Sequence, residues 1–300
     1  MIEKEKSNYA LGTLCRAMKV SRSGYYGWLA RKKKEPGKRE RGEARAVRES
    51  FLYHRRRYGT RRLAAELRSK GIEAGRCKVR RLMREQGLRA ISPKRFVPKT
   101  TDSRHDSLIS PNLLKEAGSR PLNWGEAIVG DITYLPVRNG GWCYLAMFQD
   151  KVTRRIVGWR IGERMTADLV TEALRSGLRQ GLIKRGAIVH TDRGSQYVSA
   201  RYRRLLAQAG LRQSMSARGN CYDNAQAESF FARFKTELVE GGVFETAAEA
   251  RSESFSYIEG YYNRIRLHSG LNYKSPMEYE GELKLKERRL VRESFVSTFS

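Results

Sequence analysis

The sequence predicts an α/β protein in which a mixed β-sheet with helices on its faces follows an N-terminal series of basic helices. Two observations predict this division. Apolar residues recur at helical spacing through much of the first 90 residues, whereas strand-like apolar runs begin only after residue 124. The charge divides at a similar place, because residues 1–100 hold 30 Lys and Arg against 9 Asp and Glu. We therefore expect at least two structural units within the 300 residues.

The formal net charge of +28 indicates a polyanionic partner. A solvated basic surface is the simpler explanation, but it does not predict that most of the excess lies in the first third of the chain. Nucleic acid fits such a concentration, because each neutralised phosphate releases condensed counterions. An anionic membrane surface is the weaker alternative, since the basic segments are compact helices rather than long amphipathic ones.

The lengths of the apolar runs and the spacing of the cysteines indicate the cellular compartment of the protein. No apolar run approaches the roughly 20 residues of a membrane span, and Met1 to Asn8 lacks the apolar stretch of a secretory signal. The cysteines form no CxxC pair, which argues against a zinc finger and a disulfide framework. They are Cys15, Cys77, Cys143 and Cys221. We expect a soluble, intracellular protein with reduced thiols and no membrane partner.

The first predicted unit, residues 1–30, has the outline of a helix-turn-helix. Apolar side chains recur at three- and four-residue spacing over Leu11–Met18, and a turn follows in which Ser21 or Ser23 can cap a second helix. Many helical hairpins share this outline. The charged stretch Arg31–Glu43, which contains Pro and Gly, predicts a linker.

The second predicted unit, residues 44–91, contains two basic helices, one opening at Tyr58 and one at Cys77. A solvated basic face is the simpler interpretation, but the local density of arginine favours contact with DNA. The residues predicted to make that contact are Arg61, Arg62, Arg76, Lys78, Arg80 and Arg81.

The rest of the chain divides into three predicted regions. Residues 92–123 lack periodicity and predict a linker with a short helix near Leu113. A sheet domain is predicted over 124–280, and a basic C-terminal tail over 281–300. Helices alternate with short strands after three antiparallel strands. Those three predicted strands are 128–137, 142–148 and 155–162.

Two aspartates lie in predicted strands. Asp131 is the only charged residue in a largely apolar run, and a buried carboxylate is costly unless it is paired, hydrogen-bonded or bound to metal. Taken alone, Asp131 could equally be satisfied by backbone or arginine. Asp192 ends the apolar strand Ala187–Thr191, where α/β sheets place ligand-binding groups, although aspartate is also a common turn residue.

A glutamate on a predicted helix completes a set. Glu228 lies seven residues before Lys235 and on nearly the same helix face. A solvent-facing position is the commoner fate of a single glutamate. Together with Asp131 and Asp192 it is more informative, because two-metal phosphoryl transfer requires clustered carboxylates that hold the ions.

Several segments combine into a known pattern. They are Cys15–Trp28, Tyr58–Ala90, Gly130–Tyr134, His190–Tyr197, Gly219–Leu238, Tyr262–His268 and Ser275–Pro276. With them the sequence resembles, over nearly its whole length, the second-frame (OrfB-type) transposases of two-reading-frame bacterial insertion sequences, whose core is similar to that of retroviral integrases. The 35 residues between Asp192 and Glu228 match the usual gap in that family's Asp-Asp-Glu triad.

The resemblance implies a ribonuclease-H-like catalytic core in which Asp131, Asp192 and Glu228 hold two Mg²⁺ ions, with Mn²⁺ able to substitute. It implies that Lys235 contacts the DNA of the element's end. It also implies that water cleaves the DNA and that the freed 3′-hydroxyl then attacks a second phosphodiester. The implied partners are double-stranded DNA of the ends and the target, further copies of the chain on DNA, and an upstream first-frame product or a fusion with it. The implied location is the bacterial cytoplasm, at the nucleoid.

Two features depart from the resembled proteins. Ile128 and Val129 stand where family members often carry an aromatic residue before the first aspartate, and the N-terminal part lacks the His/Cys zinc set of retroviral integrases. Two other functions are alternatives: a ribonuclease-H-type nuclease that cuts without joining, and a DNA-binding regulator without catalysis. The basic N-terminal third argues against the first, and the three retained carboxylates argue against the second.

Overall fold

A five-stranded mixed sheet forms the centre of the molecule. The computed structural model describes residues 1–33, 37–92, 110–116, 121–138, 141–216, 225–238 and 243–298. The strands are β1 (Ala127–Val137), β2 (Gly141–Asp150), β3 (Ile156–Gly162), β4 (Ile188–Thr191) and β5 (Arg212–Met215). Their order is β3-β2-β1-β4-β5. The first three are antiparallel neighbours, and β4 and β5 continue the sheet in parallel from β1. The predicted α/β class, with a ribonuclease-H-like mixed sheet, is confirmed.

Helices precede the sheet and flank it. They are α1 (Ile2–Glu5), α2 (Leu11–Ala17), α3 (Arg22–Lys33), α4 (Lys38–Tyr53), α5 (Thr60–Ser69), α6 (Arg76–Glu85), α7 (Leu113–Glu116), α8 (Ala167–Arg179), α9 (Ser195–Val198), α10 (Ala200–Gln208), α11 (Ala225–Leu238), α12 (Ala247–Phe255) and α13 (Pro276–Thr298). A π-helical segment, Ser256–Tyr262, continues α12, and a 3₁₀ turn spans Ser269–Leu271.

Two apolar layers cover opposite faces of the sheet. Successive side chains of a strand point to opposite faces, so Ile128 joins the layer under α8 and α10, whereas Val129 joins the layer under α11. The second layer continues without a break into the helices α4 to α6, through residues such as Val47 and Leu63. The N-terminal helices are therefore packed against the sheet domain.

The turn between α2 and α3 is capped as the sequence predicts, because the Ser21 hydroxyl accepts a hydrogen bond from the amide of Gly24 (2.9 Å). The prediction that Arg31–Glu43 forms a linker is wrong. α3 extends to Lys33 and α4 begins at Lys38, and only residues 34–36 between them lie outside the described part. The stretch lacks an apolar stripe of its own. Ion pairs such as Arg39–Glu43 (3.4 Å) stabilise its helical form instead.

Most of the predicted linker 92–123 lies outside the described residues, but α7 occupies the place predicted for a short helix. In the predicted basic C-terminal tail 281–300, the helix α13 runs unbroken through residue 298. Glu287 attaches it to the sheet domain, accepting a hydrogen bond from Trp124 Nε1 (2.8 Å) and pairing with Lys184 (3.0 Å). None of the helices in the described ranges is both long and apolar enough to cross a bilayer.

Candidate active site

Asp131 and Asp192 occupy matching positions at the point where β4 ends. β1 and β4 pair in parallel as far as Val129 and His190, so each aspartate lies two residues beyond that last pair. Equivalent positions on adjacent parallel strands lie side by side on one face. The register of the sheet therefore brings together two carboxylates that are far apart in the sequence.

The loop after β4 holds Asp192 in a tight turn. Its Oδ1 accepts a hydrogen bond from the amide of Gly194 (3.0 Å). A Cβ at Gly194 would lie only 2.9 Å from Gln196 Oε1 and 3.1 Å from Asp192 Oδ1. A side chain there would therefore push against the carboxylate, so glycine keeps this exit from the strand narrow.

The surroundings of Asp131 oppose its negative charge. Burial and then the nearby Asp192 carboxylate raise the pKa of Asp131 to about 8, and Glu228 acts in the same direction. The amide of Ile132, which donates to Asp131 Oδ1 at 2.8 Å, and the more distant Lys235 oppose this rise. The centre thus holds an excess of negative charge that a bound cation would neutralise.

The helix α11 brings a glutamate and a lysine toward β1. Glu228 is exposed in its first turn, and Lys235 is half-buried two turns later. The Lys235 ammonium lies 3.9 Å from the centre of the Tyr134 ring, a cation–π contact. Burial lowers the pKa of Lys235, and Asp131 acts against this shift. Both side chains therefore act electrostatically on the same strand carboxylate.

The predicted site residues are not equally close. Among the described residues, no three or more His, Cys, Asp or Glu side chains are grouped closely enough to hold one ion together. Asp131 and Asp192 form a pair, and Glu228 acts on Asp131 from the exposed start of α11.

Comparison with known proteins identifies the family of this chain. Models described as "Integrase core domain" match residues 124–221 and 228–282, and a model described as "HTH-like domain" matches residues 38–96. Transposase InsF for insertion sequence IS3A of Escherichia coli (strain K12) is 38% identical over 286 residues, which are 94% of this chain and 97% of that one. The chain belongs to this family of insertion-sequence transposases.

Two further matches extend the comparison. The insertion element IS600 uncharacterized 31 kDa protein of Shigella sonnei is 41% identical over 269 residues, covering 89% of this transposase and 97% of that chain. The Mos1 transposase catalytic domain, solved with raltegravir and Mg, is 15% identical over 57% of this chain and 83% of that one, with a TM-score of 0.43. A structural likeness this low carries no inference.

One residue near the aspartate pair was not singled out from the sequence. Tyr197 is buried, and its hydroxyl has no hydrogen-bond partner among the described residues. Burial, followed by the charges of Asp192 and Asp131, raises its pKa well above the usual value. Tyr197 lies in a recognised motif, but nothing in the spacing distinguishes a buried phenol that faces the site from one that packs in the core.

His190, from the same motif, has a structural role. It is buried in β4, and its ring nitrogens contact the hydroxyls of Ser214 (2.8 Å) and Ser216 (3.1 Å). These contacts fix the end of β4 against β5, immediately before Asp192.

The residues predicted to contact DNA have three different environments in this transposase. Arg61, Arg76 and Arg80 are exposed. Lys78 is paired with Glu43 at the junction with α4. Arg81 is also exposed, but it forms ion pairs with acidic side chains of α4 and α6, namely Glu40 and Glu85.

Arg62 differs from all of these because it points inward. Its Nε donates to the carbonyl oxygen of Leu267 (2.8 Å), and its guanidinium lies 5.6 Å from the centre of the Tyr58 ring. Burial, followed by the charge of Arg266, lowers its pKa. We therefore assign Arg62 to the interface between the N-terminal helices and the sheet domain instead of to the DNA-facing surface.

Proposed function

We propose that this transposase binds the ends of its insertion sequence and both cuts and joins DNA at a centre formed by Asp131, Asp192 and Glu228, with two bound Mg²⁺ ions. The observation that carries the proposal is the matching position of Asp131 and Asp192 at the end of β4. Glu228 adds a third carboxylate whose charge reaches the first. Membership in a transposase family supports the joining step over cleavage alone.

The donor chemistry fits divalent metal. Carboxylate oxygens are the ligands that Mg²⁺ and Mn²⁺ prefer. Burial, followed by repulsion from Asp192 and Glu228, raises the pKa of Asp131, and a cation would relieve the repulsion. Asp131, Asp192 and Glu228 would hold such ions, which would supply activation of a water or 3′-hydroxyl and stabilisation of the leaving oxygen.

The protein side chains divide the remaining work. Asp131 and Asp192 are fixed by the sheet, so they define where the scissile phosphate must lie, and Glu228 approaches from α11. Lys235, whose ammonium lies over the Tyr134 ring, would bind the terminal phosphates of the element's end. The exposed arginines of α5 and α6 attract the DNA backbone without reading its sequence.

The proposal also includes partners and location. The DNA partners are the element's ends and the target, and both are double-stranded. Further copies of this chain assemble on that DNA, together with an upstream first-frame product or as a fusion with it. The place of action is the bacterial cytoplasm, at the nucleoid.

Replacing single carboxylates tests the proposed centre. Asp192→Asn and Glu228→Gln should lower cleavage and joining on the order of 10²–10³-fold or more, because each removes charge that the transition state requires. DNA affinity should stay within a few-fold. Asp168→Asn is the matched control, since Asp168 is exposed and pairs with the surface residue Arg201 (2.7 Å). Gel assays of cleavage and strand transfer in Mg²⁺ measure the effect, and normal turnover by either site variant would contradict the assignment.

A further inference from the structure

The last turn of α11 is contacted by a residue from the loop between two N-terminal helices. Arg57, in the loop between α4 and α5, donates from Nε to the carbonyl oxygen of Glu237 (3.1 Å). Its guanidinium lies 4.6 Å from the centre of the Tyr261 ring and 5.1 Å from that of Tyr257. α11 is the helix that carries Glu228, so the N-terminal helices grip the far end of a helix that enters the candidate active site.

A second contact lies beside the first. Tyr58 is fully buried, and its hydroxyl donates to the carbonyl oxygen of Ile265 (3.2 Å) while accepting from the amide of Leu267 (2.7 Å). The ring of Tyr58 stacks on His54, with 3.6 Å between the ring centres. Two backbone groups of the segment after the π-helix are thus satisfied by one hydroxyl from the N-terminal helices.

The residue between those two backbone groups closes the connection. Arg266 is fully buried and makes two hydrogen bonds to the Glu237 carboxylate (2.9 and 2.5 Å). The Tyr257 hydroxyl donates to the same carboxylate at 2.8 Å. Burial raises the pKa of Glu237, but the hydrogen bonds and charge of Arg266, the Tyr257 hydrogen bond and the charge of Arg62 together outweigh burial and hold that pKa below its usual value. The backbone of Glu237 is therefore tied to Arg57 and its side chain to Arg266.

The same stretch of chain also faces outward. Arg61 and Arg62 are consecutive in the first turn of α5, where Arg61 is exposed and Arg62 bonds to the carbonyl oxygen of Leu267. A DNA phosphate bound by Arg61 would therefore act on a turn that is already attached to the segment 265–267. No residue of this connection takes part in the proposed chemistry.

We propose that Arg57 and Tyr58 are positioning residues through which DNA bound to the N-terminal helices sets the place of α11, and hence of Glu228 and Lys235, relative to Asp131. The inference rests on the proposed function and adds a route between DNA binding and the catalytic carboxylates. Such a route is a coupling between two sites, so it is measurable as the change that DNA at one site causes at the other.

Two conservative substitutions test the route in the full chain. Arg57→Lys keeps the charge but loses the planar donor that reaches Glu237, and Tyr58→Phe removes only the hydroxyl. The matched controls are Arg68→Lys, an exposed arginine of α5, and Tyr53→Phe, an exposed tyrosine at the end of α4. The probe is a duplex carrying the terminal inverted repeat of the element that encodes the chain, compared with a scrambled duplex of equal length.

The readout is hydrogen–deuterium exchange of the α11 amides, with and without the duplex. In the parent and both controls, the terminal duplex should slow exchange in α11 by about tenfold, within the usual range of coupling between sites. In Arg57→Lys and Tyr58→Phe the slowing should fall below about twofold, while DNA affinity stays within about threefold. Cleavage at saturating DNA should fall in proportion, which separates positioning from binding.

The outcomes separate this inference from the proposed function. A merely structural role predicts faster α11 exchange in both variants with the DNA-induced ratio unchanged, and that result overturns the inference alone. If the parent neither binds nor cuts the terminal duplex, the proposed function fails and the inference fails with it. Because Arg57→Lys retains a cation at the interface, it provides a folded variant even if Tyr58→Phe does not fold.

Discussion

Neighbouring arginines of α5 have opposite environments. Arg61 is exposed, whereas Arg62 is half-buried and bonded to the backbone of Leu267. Arg57, one turn earlier in the chain, is likewise directed at the sheet domain. The side chains are chemically identical, so a count of charges cannot separate those available to DNA from those that hold the molecule together. Part of the basic charge in the N-terminal third is therefore structural.

Among the inward-directed arginines, substitution of Arg266 should cause the largest loss of stability. Arg266→Met leaves the Glu237 carboxylate buried without its cation, which should lower the free energy of unfolding by about 3–5 kcal/mol. Urea unfolding of the full chain measures the loss. In the double variant Arg266→Met/Glu237→Leu both charges are gone, so much of the stability should return. A loss below about 1 kcal/mol in the single variant would contradict a buried, mutually dependent pair.

The next largest effect separates the two neighbours directly. Arg62→Gln removes the donor to Leu267, and the unfolding free energy should fall by about 1–3 kcal/mol, with little change in the salt dependence of DNA binding. Arg61→Gln should do the opposite: stability should change by less than about 0.5 kcal/mol, and the log–log salt slope should shrink by about 0.9. Denaturation and salt titrations of both variants give the comparison. Equal changes in unfolding free energy and in salt slope for the two variants would contradict the different roles of Arg61 and Arg62.

The smallest effect depends on pH. His268 is buried beside Arg266, and burial followed by the charge of Arg266 lowers its pKa to about 2. A histidine in the unfolded chain has a pKa of about 6.5. Between about pH 2 and about pH 6.5, the unfolded state therefore binds a proton at His268 that the folded state does not bind. Stability should therefore be full above about pH 6.5 and fall below it, by at most about 1.4 kcal/mol per pH unit.

His268→Gln isolates this contribution, because the other buried histidines remain in the variant. Urea unfolding between about pH 7 and about pH 5 should show a shallower loss of stability in His268→Gln than in the parent. Parallel curves for the two proteins would show that His268 is protonated in the folded state as well.

The sequence predicted the strands well because their signals are local. The apolar run around Asp131 and the short apolar strand before Asp192 correspond to β1 and β4, and the match in register follows from how they pair. The helical character of Arg31–Glu43 and of residues 281–298 was missed. Both stretches are rich in charge, and besides local ion pairs their helices make contacts with distant parts of the chain, such as Glu43 with Lys78 and Glu287 with Trp124.

In the candidate site, too, the sequence predicted what depends on local spacing and missed what depends on tertiary packing. The spacing of Asp131, Asp192 and Glu228 pointed to a shared centre, yet it did not predict that the aspartates interact closely while Glu228 takes the exposed position that is common for a single glutamate. The link between Arg57 and Glu237 joins residues 180 positions apart. No periodicity or motif predicts such a contact, because it depends on how two packed units meet.

The apolar layer shared by α4 to α6 and α11 limits how these proteins can exchange parts. A chimera that takes only residues 38–92 from a relative would place foreign side chains against Glu237 and the segment 265–267, which in this chain contact Arg57 and Tyr58. Grafting a new DNA preference onto this chain therefore requires transplanting that receiving surface as well. Natural recombination between insertion sequences faces the same requirement. The helices of residues 38–92 and the surface that they contact should therefore be inherited together.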